Sequence, residues 1–335
     1  MGIPVGVLGG GSFGTCLALL CAQHGDVTLW TRHEDVVESI HTHHRNPRHL
    51  REAEIPENVR ATTDLAAAVK DKELLVCAVP SHALRDVMAR AVPHLAEGAI
   101  VLSAVKGIEC ETGMTMHQVL EDVLPRTHHA RIAVLSGPSF ASEIAQRKPT
   151  VVTIACEEET YAISVQATLS CPWFRCYTST DVMGVELGGA LKNVIAIAVG
   201  MCDGQEAGHN TRAAIMTRGL TEITRLGIRM GADPTTFLGL SGMGDLILTC
   251  TGDLSRNRHV GFELGRGRSL DEILGEMDEV AEGVRTTRAA CRLADRLNID
   301  MPIARGVAEV LDGVRTPAEA GALLMSRQLK AEFTR

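Results

Sequence analysis

Hydrophobic and polar positions follow two different patterns along this chain. In the first half, short apolar runs alternate with helical stretches. VGVLGG, DVTLW, ELLVCAVP, AIVLSAV, RIAVLSGP and PTVVTIA read as buried strands, with amphipathic helices around Thr15–His24 and Ala83–His94 between them. That rhythm predicts βαβ units and a parallel sheet. WFRCYTS is the last strand-like run, and from Asp181 onward helix formers dominate, punctuated at GADPTTF and RTPAEAG. The pattern divides the chain near residue 180, giving an α/β unit over 1–180 and an all-α unit over 181–335. No internal repeat, low-complexity tract or long linker separates them, so the two units are expected to pack closely with a site in the cleft between them.

Composition narrows the functions open to such a protein. With 335 residues, 45% of them hydrophobic, the chain can bury about two domains. A net charge of -8, from 33 basic and 41 acidic residues with no basic run, argues against nucleic acid or an anionic membrane as the main partner. Any anion must therefore be bound locally. None of the ten cysteines forms a Cys-x-x-Cys pair, and the spacings Cys16 to Cys21 and Cys171 to Cys176 suit neither a zinc knuckle nor a redox motif; free thiols in a reducing cytosol are expected. The strand IPVGVL starts too early for an export segment, and Gly6 stands where a myristoylation signal needs Ser or Thr. The apolar run Val194 to Cys202 falls short of the roughly 20 residues of a bilayer span. A cytoplasmic protein without stable membrane insertion is the expectation.

The sharpest local signal is GGGSFG, with glycines at 9, 11 and 14 between a strand and a helix starting near Ser12. Gly9 permits the tight turn, Gly11 admits a pyrophosphate to the backbone, Gly14 lets helix and strand pack, and the helix N-terminus favours the phosphate charge. The spacing predicts a dinucleotide site. At the end of the second strand, LWTRHED puts Thr31, Arg32 and His33 before the first acid. Arg32 suits a 2′-phosphate, whereas Glu34 or Asp35 would suit the free ribose hydroxyl of NAD, so NADP and NAD both remain open with NADP ahead.

Further segments fall at strand ends, where open parallel sheets bind ligands. VPSH brings Pro80, and AVKG aims Lys106 into the crevice or leaves it solvated. SGPSFASE offers Gly137, Ser139 and amides near Ala141 to an anion or a carboxamide, or forms a plain serine cap with Glu143. In LGGALKNVIAIAVG, Gly188, Gly189 and Ala190 let the helix approach its neighbour closely and partly dehydrate Lys192, lowering its pKa toward neutrality; the bland alternative is a snorkelling surface lysine. SGMGDLILTC supplies Asp245 as its partner, and SRNR groups Ser255, Arg256 and Asn257, with the guanidinium fork shaped for phosphate. His41 and His44 in HTHHRNPRH share a helix face, but no acid or cysteine stands at ligand spacing, so an exposed polar helix end is expected rather than a metal site.

GGGSFGT, VPSH, AVKGIE, SGPSFA, GVELGGALKNVIAIAVG, NTRAAIMTRGL, GMGDLILTCT and SRNR, in this order, resemble the bacterial-type NAD(P)-dependent glycerol-3-phosphate dehydrogenase family over nearly the whole chain. The resemblance implies a Rossmann-type N-terminal domain, an all-helical C-terminal domain and a homodimer. It also implies reversible reduction of dihydroxyacetone phosphate to sn-glycerol 3-phosphate, supplying glycerophospholipid synthesis. By the same resemblance Lys192 is the catalytic proton donor or acceptor and Lys106 touches cofactor and substrate. Gly137, Ser139, Asp245, Ser255, Arg256 and Asn257 match substrate positions. Ser12, Phe13, Arg32, His33, Ala141, Arg256, and Val280 and Glu282 in EVAEGV, match cofactor positions. Two other classes share parts of this pattern. A non-catalytic redox sensor needs the glycine loop but not Lys192, Asp245 and SRNR together. A β-hydroxyacid dehydrogenase shares the lysine, but SRNR favours a phosphate over a substrate with a carboxylate alone.

Overall fold

The computed structural model describes residues 2–277, 280–329 and 331–332. The first half alternates β1 (Val5–Leu8), α1 (Ser12–Cys21), β2 (Val27–Trp30), α2 (Glu34–His43), β3 (Val59–Thr62), α3 (Leu65–Val69), β4 (Leu74–Cys77), α4 (Leu84–Ala91), β5 (Ile100–Ser103), α5 (Met116–Val123), β6 (Ile132–Ser136), α6 (Ala141–Ala145), β7 (Thr150–Cys156), α7 (Glu159–Leu169) and β8 (Phe174–Ser179). The second half contains α8 (Val182–Gly204), α9 (Gly208–Arg229), α10 (Asp245–Thr251), α11 (Arg256–Gly265), α12 (Leu270–Gly275), α13 (Glu282–Leu297), α14 (Pro302–Leu311) and α15 (Pro317–Met325), and no strand among the described residues.

The strands form one sheet in the order β3-β2-β1-β4-β5-β6-β7-β8. Because β1 lies between β2 and β4, the strand order reverses there, and in an open α/β sheet the ligand crevice lies at such a reversal, at the carboxyl ends of β1 and β4. Helices cover both faces. Val5, Val7, Leu74 and Val76 point toward the α1 side, while Leu8, Leu75 and Cys77 point toward α3 and α4. Burial on both sides explains why these strands read as continuous apolar runs.

Two features depart from the sequence pattern. The strand β3 is added at the edge as VRAT, where Arg60 is exposed and only Val59 and Ala61 are apolar, too polar to read as a buried apolar run. The expected parallel sheet holds from β3 to β6, but β7 runs antiparallel to β6, with Ala133 opposite Cys156, and β8 is parallel to β7. Apolar periodicity records which face is buried and carries no information on strand direction.

The helical half is built around α8, a 23-residue helix long and apolar enough on average to cross a bilayer, which lies almost wholly inside the protein. Its close partner is α11. A Cβ on Gly200 would stand 2.1 Å from the Arg258 carbonyl oxygen, and one on Gly261 would stand 2.0 Å from that of Ile197, so the two backbones touch without side chains between them. Buried carboxylates cap distant helices. Glu186 of α8 accepts the His117 N–H of α5 at 2.7 Å, and Glu222 of α9 accepts Ile303 N–H at 2.8 Å and Ala304 N–H at 3.3 Å at the start of α14. Burial pushes both carboxyls up to about 7. All ten cysteines are free thiols, and burial raises Cys21 and Cys77 to about 12, which makes them inert.

Candidate active site

The glycine loop has the geometry that its spacing predicts. Gly9 sits at φ 125°, where a side chain is strained, and a Cβ there would also press on the Ala78 carbonyl at 2.5 Å. A Cβ on Gly14 would stand 1.8 Å from the Gly9 carbonyl oxygen, so helix α1 can lie this close to β1 only with glycine there. A Cβ on Gly11 would meet nothing within 4 Å. Gly11 is therefore not required by the protein's own packing, and the open space beside it, at an α1 N-terminus that no side chain caps, fits an approaching pyrophosphate. The buried Asn46 pins this loop. Its amide donates to Gly10 O and Thr15 Oγ1, both at 2.9 Å, and its carbonyl accepts the N–H groups of Arg48 and His49 at 3.1 Å.

Arg32 and His33 follow β2 at the rim of the crevice, with Arg32 exposed and its Nε 3.3 Å from His33 Nε2. The nearby acid Asp35 is engaged by Arg48, through contacts of 2.8 and 3.1 Å. Burial, with Arg48 and Arg32 nearby, lowers His33. Ser12 Oγ lies 3.5 Å from His49 Nδ1, and Phe13 packs against the α1-side core, so its side chain is occupied by the fold. His41 of the histidine patch accepts the Ala61 N–H at 3.2 Å, and His44 ends α2 in the left-handed conformation.

Beyond the crevice stands a three-residue charge cluster. Asp245, fully buried at the start of α10, binds Lys192 Nζ through Oδ1 and Lys106 Nζ through Oδ2, the latter at 2.7 Å. Lys192 also donates to Thr249 Oγ1 at 2.7 Å, one helical turn beyond Asp245. The small residues before Lys192 make this possible. A Cβ on Gly188 would strike the Ser241 carbonyl at 2.5 Å, and one on Gly189 would strike Ser136 Oγ at 2.4 Å and touch the Lys106 stem at 3.8 Å. Lys192 is thus a buried lysine rather than a snorkelling one, at 6% exposure. Burial lowers it to about 7; Asp245 opposes the shift and the Lys106 ammonium reinforces it. When Lys192 is protonated, one carboxylate stands between two ammoniums and the cluster carries an excess positive charge.

The SRNR segment begins α11. Ser255 Oγ accepts the Arg258 N–H at 3.2 Å as its cap, and Arg256 Nη1 donates to Val280 O at 2.9 Å. The Asn257 side chain is committed to the fold, donating to Asn193 Oδ1 at 3.0 Å and accepting Gly283 N–H at 2.9 Å, so it stitches α8, α11 and α13 together. At the head of α13, Glu282 accepts from Ser81 N–H at 3.1 Å and Ser81 Oγ–H at 2.5 Å, reaching the turn after β4. Ser139 does not cap a helix. Its hydroxyl donates to the Gly137 carbonyl at 2.8 Å, and Phe140 precedes α6, which starts at Ala141 beside α1. The sequence reading missed Thr249, Asn193, Asn46 and Ser81. Only Thr249 carried a local signal, its four-residue helical spacing from Asp245.

Comparison with known proteins places the chain in a family. Residues 4–162 match the family described as NAD-dependent glycerol-3-phosphate dehydrogenase N-terminus, and residues 181–322 match the corresponding C-terminus. A glycerol-3-phosphate dehydrogenase [NAD(P)+] from Myxococcus xanthus is 54% identical over 328 residues, 98% of both chains, and one from Leptospira biflexa is 51% identical over 98% of this chain and 99% of its own. The crystal structure of glycerol-3-phosphate dehydrogenase from Coxiella burnetii superposes with a TM-score of 0.91 at 35% identity, covering 97% of this chain and 99% of that one. With family matches spanning both halves and a relative more than half identical end to end, the chain belongs to the NAD-dependent glycerol-3-phosphate dehydrogenase family.

Proposed function

We propose that this protein interconverts dihydroxyacetone phosphate and sn-glycerol 3-phosphate with NAD(P)H, supplying glycerophospholipid synthesis as a cytoplasmic homodimer. In this reading residues 1–180 bind the dinucleotide and residues 181–335 bind substrate and carry the acid-base group. The observation that carries it is the sharing of Asp245 between Lys192 and Lys106. A buried lysine lowered to about 7 can both give and take a proton at neutral pH, as a reversible carbonyl reduction requires.

When bound, the reduced nicotinamide supplies the hydride that reaches the substrate carbonyl carbon. Lys192 protonates the oxygen as negative charge grows on it, and Thr249 and Asp245 hold its ammonium in place. Lys106 neutralises and orients the substrate from the other side of Asp245. Arg256 and the amides at the head of α11, with Ser255, receive the phosphate, joined by Gly137 and Ser139 on the sheet side. Asn257 contributes through its backbone, since its side chain is already engaged. Gly9, Gly11, Ser12, Phe13 and Gly14 line the pyrophosphate, Ala141, Val280 and Glu282 border the dinucleotide, and Arg32 with His33 receives a 2′-phosphate. The engagement of Asp35 by Arg48 leaves Arg32 as the exposed cation directly after β2 and supports NADP use alongside NAD.

The test is oxidation of NADPH and NADH with dihydroxyacetone phosphate, unphosphorylated dihydroxyacetone and a 2-keto acid. Fast turnover with the phosphorylated ketone alone is expected. Equal rates with the 2-keto acid would replace this reading with a hydroxyacid dehydrogenase.

A further inference from the structure

The bond between Ser81 and Glu282 joins residues 201 positions apart, and the expected role of Glu282 does not account for it. Ser81 begins the turn after β4 and is buried; Glu282 begins α13 and is partly exposed. Both Ser81 donors are spent on this one carboxylate, N–H to Oε1 at 3.1 Å and Oγ–H to Oε2 at 2.5 Å. Gly107, directly after Lys106, faces the same point. A Cβ there would stand 2.9 Å from Ser81 Cβ and 3.5 Å from Thr286 Oγ1, one turn beyond Glu282. The pair therefore lies over the ends of β4 and β5, on the far side of the strand-order reversal from the β1 and β2 ends that receive the pyrophosphate and adenosine. That half of such a crevice takes the nicotinamide end of a dinucleotide.

A carboxylate offers about four acceptor sites, and Ser81 uses one on each oxygen. We propose that Ser81 is a positioning residue for cofactor binding: it fixes the Glu282 carboxylate from behind, so that the remaining lone pairs meet donors at the nicotinamide end, the carboxamide N–H or ribose hydroxyls. This rests on the reading of Glu282 as a dinucleotide contact. The partial exposure of Glu282 supplies the free side that the contact needs. Two preset hydrogen bonds remove the rotational freedom that a glutamate would otherwise lose on binding.

The experiment is equilibrium binding of NADPH and NADH, read by nicotinamide fluorescence, to the wild type, Ser81→Ala, Ser81→Cys, Glu282→Ala and the Ser81→Ala/Glu282→Ala double variant. Cysteine fills the space of serine but is a weak donor, so it separates packing from hydrogen bonding and serves if the alanine variant fails to fold. Both Ser81 variants should raise Kd by about tenfold, and the loss should appear in the dinucleotide KM rather than in kcat. In the Glu282→Ala background the Ser81 substitution should have no further effect. Wild-type affinity in Ser81→Cys, or the same factor appearing again in the double variant, overturns the proposal. Failure of the wild type to bind either dinucleotide sinks the functional reading and this inference with it, and is distinct from a wild type that binds tightly while its Ser81 variants do likewise.

Discussion

The dinucleotide crevice and the lysine cluster solve opposite problems in one cleft. The crevice is made of backbone: three glycines, an open helix end and an asparagine that pins the loop. Its chemistry is the absence of side chains. The cluster is made of side chains from three separate stretches, Lys106, Lys192 and Asp245, and its chemistry depends on shutting water out. The fold of a backbone site tolerates a residue whose Cβ has room even where the ligand does not, whereas a dehydrated charge cluster tolerates almost no exchange of its members.

Removing Lys192 is expected to have the largest effect. Lys192→Ala should lose at least about a thousandfold in kcat with dinucleotide affinity intact, since proton transfer and charge stabilisation are both lost in the transition state. Lys192→Arg should be nearly as inactive, because a guanidinium does not release its proton near neutrality. Stopped-flow hydride transfer decides; a variant that keeps more than about a tenth of the wild-type rate removes Lys192 from the mechanism. In the wild type, carbonyl reduction needs the protonated lysine and should fall as pH rises through about 7, while alcohol oxidation should rise over the same range.

Asp245→Asn comes next, with a loss on the order of a hundredfold at neutral pH. Asp245 is what holds the Lys192 proton against burial, so its neutralisation should also move the pH midpoint for reduction to lower values. An unchanged midpoint would mean that Asp245 only orients the lysine.

The crevice should respond differently. Gly11→Ala has room in the protein and extended backbone, so its melting temperature should match the wild type while dinucleotide Kd rises by about tenfold or more. Gly14→Ala, only 1.8 Å from a carbonyl, should lose stability and affinity together. Calorimetry beside the binding titration separates the two. Equal destabilisation by both would show that Gly11 is a structural glycine. Arg32→Ala is a smaller test of the same region, raising KM for NADPH by about tenfold and that for NADH by less than about twofold. Equal effects on the two dinucleotides would dissociate Arg32 from the 2′-phosphate.

This contrast also explains what the chain disclosed before its structure was known. Gly9, Gly11 and Gly14 are legible because the loop is local, and Lys192 is legible because a lysine among small and apolar residues is a local anomaly. The βαβ rhythm and the change to helices after residue 180 are periodic and equally local. The strand β3, with only Val59 and Ala61 apolar and Arg60 exposed, lacks the continuous apolar run that marks the inner strands, and the reversal at β7 leaves no periodic trace at all. The carboxylate shared by two lysines, the Asn257 stitch and the Ser81 bond to Glu282 are long-range, so their residue types appear in the sequence while their partnerships do not.

The smallest expected effect lies outside the cleft. Glu222 holds its proton up to about 7 when folded, against an ordinary value of 4.5, so the folded state binds the extra proton between these values. Its contribution to stability is therefore fully present below pH 4.5 and lost as pH rises through about 7. Glu222→Gln should flatten the fall in stability from pH 5 to 8 by on the order of 1 kcal/mol, read from urea unfolding at each pH. An unchanged slope would assign that fall to Glu186 and the remaining titrating groups.

The interlocked glycines of α8 and α11 have a further consequence for motion. Where carbonyl and Cα of facing helices touch, neither helix can slide or rotate by a fraction of a turn, and amides can meet solvent only when the two separate. Hydrogen exchange along Leu191–Val199 should therefore report global unfolding of the helical half, while the glycine loop exchanges through local opening. On that expectation Lys192 is anchored in the slowest-exchanging part of the molecule, and any movement that admits and releases ligands should fall to the surrounding turns.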